Sequence, residues 1–157
     1  MFKKIDELSN TVDFYTIKLG ENTHTEFELF VDKEFPDHQN EIELLYNVID
    51  VISVRGAKSH YFKFEGPAHA LPKVDKATIL ANEKDLGIRL YCIRITEYLL
   101  VLLNGDIKTK QNPLECPRVA RHFKNAIAIA KKLDRMREDD DIDFQETDCL
   151  SNIEIEI

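Results

Sequence analysis

The stretch that most constrains the fold is residues 86–113, LGIRLYCIRITEYLLVLLNGDIKTKQNP. Two apolar runs, residues 88–95 and 98–103, are separated only by Thr96 and Glu97. Both are rich in branched and aromatic residues and too short for independent helices, so they predict a β-hairpin. Its strands are apolar on both faces: Ile93 and Ile95 oppose Leu90 and Cys92, and Leu99, Val101 and Leu103 oppose Leu100 and Leu102. Strands of that kind are central ones, covered above and below. Into this hairpin the chain sets Arg89 and Arg94 and, just past Asn104-Gly105, Lys108 and Lys110. Cations at the ends of buried strands are costly unless paired or facing a polar partner, and they mark where to look for a site.

The 157 residues fit one domain with a sizeable core, at 43% hydrophobic and 32% charged residues. No apolar run approaches the roughly 18 residues of a membrane span, and MFKKIDELSN lacks a signal peptide's apolar core, so a cytoplasmic protein is expected. Cys92, Cys116 and Cys149 are scattered and odd in number, which predicts neither a disulfide framework nor a zinc site. The net charge of −8 argues against nucleic acid at first, but its distribution does not. Residues 138–157 hold nine acids and no base, whereas residues 86–137 hold 11 bases against 4 acids. A local basic patch can bind phosphates within a Debye length of about 8 Å.

Taken in order, residues 12–19 predict a strand ended by Gly20. Thr23 with Glu26 has the form of a capping box before a helix that Pro36 stops. Asp37 can cap a second helix, whose stripe is Ile42, Leu45, Ile49 and Ile52, with Gly56 as its C-cap. Residues 60–65 alternate as a short strand, and Gly66, Pro67 and Pro72 open a loop reaching about residue 76. Residues 77–82 are ambiguous between strand and turn. Asn104-Gly105-Asp106 breaks the second long strand as a bulge would. Residues 117–137 form the clearest helix, with Val119, Phe123, Ala126, Ile127, Ala130 and Leu133 as its buried stripe. Its cations, Arg121 and Lys124 among them, fit either a solvated face or RNA contact. The acidic run after it predicts a solvated tail over residues 138–157, outside the 1–137 domain. That tail can shield the basic segment, and NIEIEI at its end alternates as a terminal strand would.

The succession of strand, helical hairpin, antiparallel strands and closing helix resembles the RelE/HigB-like toxin superfamily. So do IRLYCI, then LLVLLNGDIKTKQNP, then RHFKNAIAIAKKL. The likeness spans about residues 12–137 and is closest over residues 87–133. The family's arginine at the start of the middle strand is matched by Arg89-Leu90-Tyr91, and its basic exit by Lys108-Thr109-Lys110-Gln111-Asn112-Pro113. The resemblance implies an α+β fold: an antiparallel sheet, the helical hairpin on one face and the C-terminal amphipathic helix against the other side or an edge. It also implies an endoribonuclease, an mRNA interferase acting on messenger RNA, often on the ribosome, and neutralised by an antitoxin protein. Neither metal nor cofactor is called for, because the ribose 2′-hydroxyl is itself the nucleophile and cations stabilise the phosphate charge. On this resemblance Arg89, Lys108 and Lys63 are the catalytic candidates, and Lys110, Arg94, Arg121 and Lys124 the RNA-binding ones. Arg89 and Arg94, five apart, share a face only across a bulge; otherwise Arg94 pairs with Glu97 or Asp106. A non-catalytic interaction module on the same fold is the alternative.

Overall fold

The computed structural model describes residues 1–73 and 86–157; the expectations for residues 74–82 lie outside them. The chain folds as α+β around a six-stranded sheet. Strands β1 (Phe2–Lys4) and β2 (Asp13–Ile17) lead to helix α1 (Glu26–Val31) and helix α2 (Gln39–Arg55). Then come β3 (Lys63–Glu65), β4 (Ala68–Leu71), β5 (Ile88–Thr96), β6 (Leu99–Ile107) and helix α3 (Ala120–Glu138). The capping box falls two residues later than expected, on Thr25 and Glu28, each bonding the other's backbone N–H. Gly56, at φ +104°, ends α2 as expected. His38 rather than Asp37 precedes α2 and makes no side-chain cap.

The strand order is β1-β2-β6-β5-β4-β3. Every pairing is antiparallel except β2 with β6, which run parallel, so the sheet is mixed rather than antiparallel. Parallel pairing follows from the route taken: α1 and α2 carry the chain across one face before it returns, and parallel neighbours need such a crossover. The sequence reading also missed β1 and β4. Both are short, and β4 (AHAL) follows directly on the Gly66-Pro67 turn, inside what looked like a loop.

Both faces of the central hairpin are covered, as its double-sided apolar pattern requires. Phe27 and Phe30 of α1 and Leu45, Ile49 and Ile52 of α2 pack with Phe14, Leu90, Cys92, Leu100 and Leu102. Ala126, Ile129, Ala130 and Leu133 of α3 pack with Tyr15, Tyr91, Ile93, Val101 and Leu103 on the opposite face. Ile129 replaces Phe123 and Ile127 in the buried stripe of α3; those two are half-buried beside it, Phe123 edge-on to Tyr91.

The chain after α3 is no free tail, and its end forms no strand. Asp140, at φ +56°, reverses the chain, a conformation that aspartate tolerates. Phe144, Leu150 and Ile155 then join the α3-side core, which also holds Phe2 of β1 and Tyr15 and Ile17 of β2. The Arg137 guanidinium lies 4.8 Å from the Phe144 ring centroid, and the Tyr15 hydroxyl donates to Asp148 at 3.2 Å. The acids that composition assigned to solvent are spaced by the apolar residues that dock. Leu150→Ala is therefore expected to destabilise by about 2–5 kcal/mol. An unchanged urea-unfolding midpoint would show the segment to be undocked.

The expected break at Asn104-Gly105-Asp106 is a β-bulge. Leu90 pairs with Gly105 but Cys92 pairs with Leu102, so β6 carries one extra residue opposite Tyr91. A Cβ on Gly105 would lie 1.8 Å from the Arg89 carbonyl oxygen, which excludes every other residue. Gly105→Ala must open the bulge and is expected to cost about 3 kcal/mol or more. Thermal unfolding coincident with wild type would refute this packing.

Candidate functional site

Register gathers the site. On β5, Ile88, Leu90 and Cys92 face the α1–α2 side, so Arg89 and Tyr91 face α3. On β6, Leu99, Val101 and Leu103 face α3, and regular alternation would send Lys108 to the other side. The extra residue at the bulge reverses the parity. Asp106 pairs with Arg89, Ile107 packs with the α1–α2 core, and Lys108, bonded to Gly87 across the strands, comes onto the face of Arg89. At the other side of the sheet Lys63 pairs with Ala70, and Ala70 with Tyr91; Glu65 pairs with Ala68. The two alanines leave room for Lys63 and Glu65 to lean over β4. Arg89, Lys108 and Lys63, the three catalytic candidates, thus converge with Glu65 and Tyr91.

The cluster is buried and incompletely paired. Arg89 and Lys108 are each 1% exposed, while the Lys63 side chain keeps 35% of its exposure. Arg89 donates through Nη1 only to the carbonyl of its neighbour Ile88, at 2.8 Å. Lys63 lies 3.5 Å from Glu65 Oε1, an ion pair without hydrogen-bond geometry. Among the described residues four buried side-chain atoms lack a hydrogen-bond partner, and three of them are here: Glu65 Oε1, Arg89 Nε and the Tyr91 hydroxyl. Buried polar atoms are normally satisfied, so their concentration in one place needs a reason. Burial, then the Lys63 charge, push the Lys108 ammonium down to about 8, with Glu65 opposing. Burial also lowers Arg89 and raises Tyr91.

The RNA-binding candidates do not gather in the same way. Arg94 points to the opposite face, where its Nε donates to the Ala57 carbonyl, so no bulge brings it to Arg89. Neither Glu97 nor Asp106 takes it: Asp106 holds Arg118 at 2.7 Å and Lys33 at 3.7 Å. Lys110 is exposed in the loop after β6, its backbone N–H donating to the Cys116 sulfur at 3.0 Å. Arg121 and Lys124 are exposed on α3, and Arg121 borders a separate cavity beside α1. Sequence reasoning left out Glu65 and Tyr91. The signal for Glu65 was its spacing of two from Lys63, which puts both on one face of a strand.

No protein-family model, curated protein or solved structure matches the chain. Among the described residues no group of His, Cys, Asp and Glu has the arrangement of a metal site, and no helix is long and apolar enough to cross a membrane.

The depressed Lys108 has a measurable consequence. Below pH 8 the ammonium is charged in both folded and unfolded chains, and the folded state carries the whole penalty of burying it. Between about 8 and the ordinary 10.5 the unfolded chain holds a proton that the folded one lacks, so stability rises with pH across that window. Lys108→Met removes the charge at similar volume. It is expected to be more stable than wild type at pH 7, by up to about 3 kcal/mol, with the advantage fading towards pH 10.5. Urea unfolding at pH 7 and pH 10 reads this directly. A variant no more stable at pH 7 would mean that the charge is compensated.

Proposed function

We propose that this protein is a divergent RelE/HigB-like toxin, a cytoplasmic endoribonuclease that cleaves messenger RNA and is held in check by an antitoxin protein. The observation that carries the reading is the convergence of Arg89, Lys108 and Lys63 on one face, with polar atoms around them left unfilled. Support also comes from the order of elements, in which two strands and two helices precede the antiparallel strands and a closing helix. A protein gains nothing in stability from such a cluster, and a phosphate dianion or phosphodiester is the ligand that three cations and a phenol suit.

The chemistry follows from the substrate. The ribose 2′-oxygen attacks the adjacent phosphorus, forming the 2′-O–P bond as the P–O5′ bond breaks. The products are a 2′,3′-cyclic phosphate and a free 5′-hydroxyl. Lys108, neutral in a substantial fraction near pH 8, takes the 2′-hydroxyl proton. Lys63, the solvent-reaching member, meets the phosphate first and returns a proton to the leaving 5′-oxygen. Arg89 stabilises the charge that builds on the non-bridging oxygens. Cleavage of ribosome-bound message fits the same chemistry, with the ribosome positioning the strand.

The near-complete burial of Arg89 and Lys108 favours a second reading, a non-catalytic interaction module in which the cluster sits behind a docking surface. One assay separates the two. The purified protein is incubated with a defined messenger RNA, with and without ribosomes and with a metal chelator present, and the ends are mapped. The nuclease reading expects cleavage with 2′,3′-cyclic phosphate ends that survives chelation, and a loss on the order of a hundredfold or more in Arg89→Ala and Lys108→Ala. Unaltered cleavage in both variants removes these residues from the mechanism. Folded wild-type protein that cuts no RNA under either condition leaves the interaction module.

A further inference from the structure

A polar cavity, about 460 Å³ in volume, lies between α1 and α3, bordered by Leu19, Glu26, Leu29, Asn104, Arg121 and Asn125. Its floor is organised by Lys33, which follows α1. The three protons of this ammonium meet three acceptors: the Gly105 carbonyl at 2.6 Å, Asn104 Oδ1 at 2.9 Å and His122 Nε2 at 3.2 Å. An ammonium can only donate, so His122 accepts through Nε2 and is neutral, its pKa held down to about 4 by burial and the Lys33 charge. Lys33 is therefore saturated and unavailable to a ligand.

What remains unfilled is specific. Asn104 is 4% exposed, and its Oδ1 accepts from both Lys33 and the Gly105 N–H. Those two donors fix the amide orientation and leave its NH₂ group as the free end. Glu26 is 5% exposed, and among the described residues its carboxylate makes no hydrogen bond and no ion pair, though the charges of Arg121 and Lys33 lie near. Facing the cavity, Glu26 offers two adjacent acceptors and Asn104 one donor, and the buried Nδ1–H of His122 is a further donor without a partner among the described residues; Leu19 and Leu29 supply apolar contact and Arg121 an exposed cation.

We propose that this cavity binds a guanine base, with Glu26 accepting from N1–H and the 2-amino group, Asn104 donating to O6, and Arg121 meeting the nucleotide's phosphate. Of the four bases guanine alone presents two adjacent N–H donors followed by an acceptor. Adenine and cytosine offer one amino group beside an acceptor, and uracil a single N–H between two acceptors, so each leaves one carboxylate oxygen unfilled at a buried site. The guanine belongs either to a free nucleotide or to an RNA. In the RNA case the inference rests on the ribonuclease reading: Asn104 adjoins Gly105, which packs on the Arg89 backbone, so a base held here lies next to the cleavage cluster.

The test is titration of the intact protein with GMP, IMP, AMP, CMP and UMP, followed by amide NMR shifts. RNA pentamers carrying one guanine, one hypoxanthine or one adenine follow in the same assay. GMP or the guanine pentamer is expected to bind at least about tenfold more tightly than its IMP or hypoxanthine counterpart, which lacks only the 2-amino group, and more tightly still than the rest. Glu26→Gln, checked for folding by its unfolding curve, is expected to lose at least about tenfold in guanine affinity. Preference shown by GMP alone assigns the site to a free nucleotide; preference shown only in the pentamers assigns it to RNA. Equal affinity for guanine and hypoxanthine ligands, or full guanine affinity in a folded Glu26→Gln protein, overturns the proposal. Guanine preference without RNA cleavage would leave this site standing and the nuclease reading refuted; cleavage without guanine preference would do the reverse.

Discussion

The structure hangs on the close approach of the Gly105 backbone to the Arg89–Leu90 backbone. No side chain fits between them, and the extra residue that the contact admits into β6 reverses which face every later residue of that strand sees. Without it Ile107 would turn away from the α1–α2 core and Lys108 away from Arg89. The same bulge turns the Gly105 carbonyl and Asn104 towards Lys33, which locks the end of α1 to β6. One missing Cβ thus sets the register of the central hairpin, the convergence of the cations and the floor of the cavity beside α1.

The energetics of the cation cluster run against stability. Burial lowers both Lys108 and Arg89, and Glu65, the acid ion-paired within the cluster, is matched to Lys63 rather than to either of them. A fold selected for stability alone would place apolar residues here, as it does one strand position further along, at Tyr91's neighbours Ile93 and Val101. Strain of this kind persists where the surroundings over-determine it. Here they do: the positions are imposed by a central hairpin packed on both faces, which cannot shift register without exposing its apolar residues. The cluster near Lys33 shows the contrasting solution, in which each proton of a half-buried ammonium is given an acceptor.

Much of this was legible in the residues. The central hairpin, the helical pair, the closing helix and the bulge at Asn104-Gly105 all follow from local pattern, because periodicity of two or of 3.6 and turn residues are properties of neighbouring positions. Arg89 and Lys108 stood out for a local reason too, as charges set into apolar surroundings, whereas Lys63 was named only through the family resemblance. What escaped was non-local. The parallel pairing of β2 with β6 joins segments more than eighty residues apart, and no short pattern encodes it. Composition assigned residues 138–157 to solvent, yet Phe144, Leu150 and Ile155 join an apolar core on the α3 side that only the assembled sheet creates.

By itself, then, the order of residues determined which segments are strands and helices, which of them must be buried on both faces, and which charges would be costly. The assembled tertiary structure alone decided partners and faces. It placed Arg94 against Ala57 and away from Arg89, brought Lys108 over through the bulge, and let Lys63 and Glu65 reach Tyr91 across two alanines. The physical reason is parity. A side chain's face depends on counting residues along a strand, and its neighbours depend on how the next strand is registered against it. One inserted residue changes both, while leaving the local pattern of the sequence as it was.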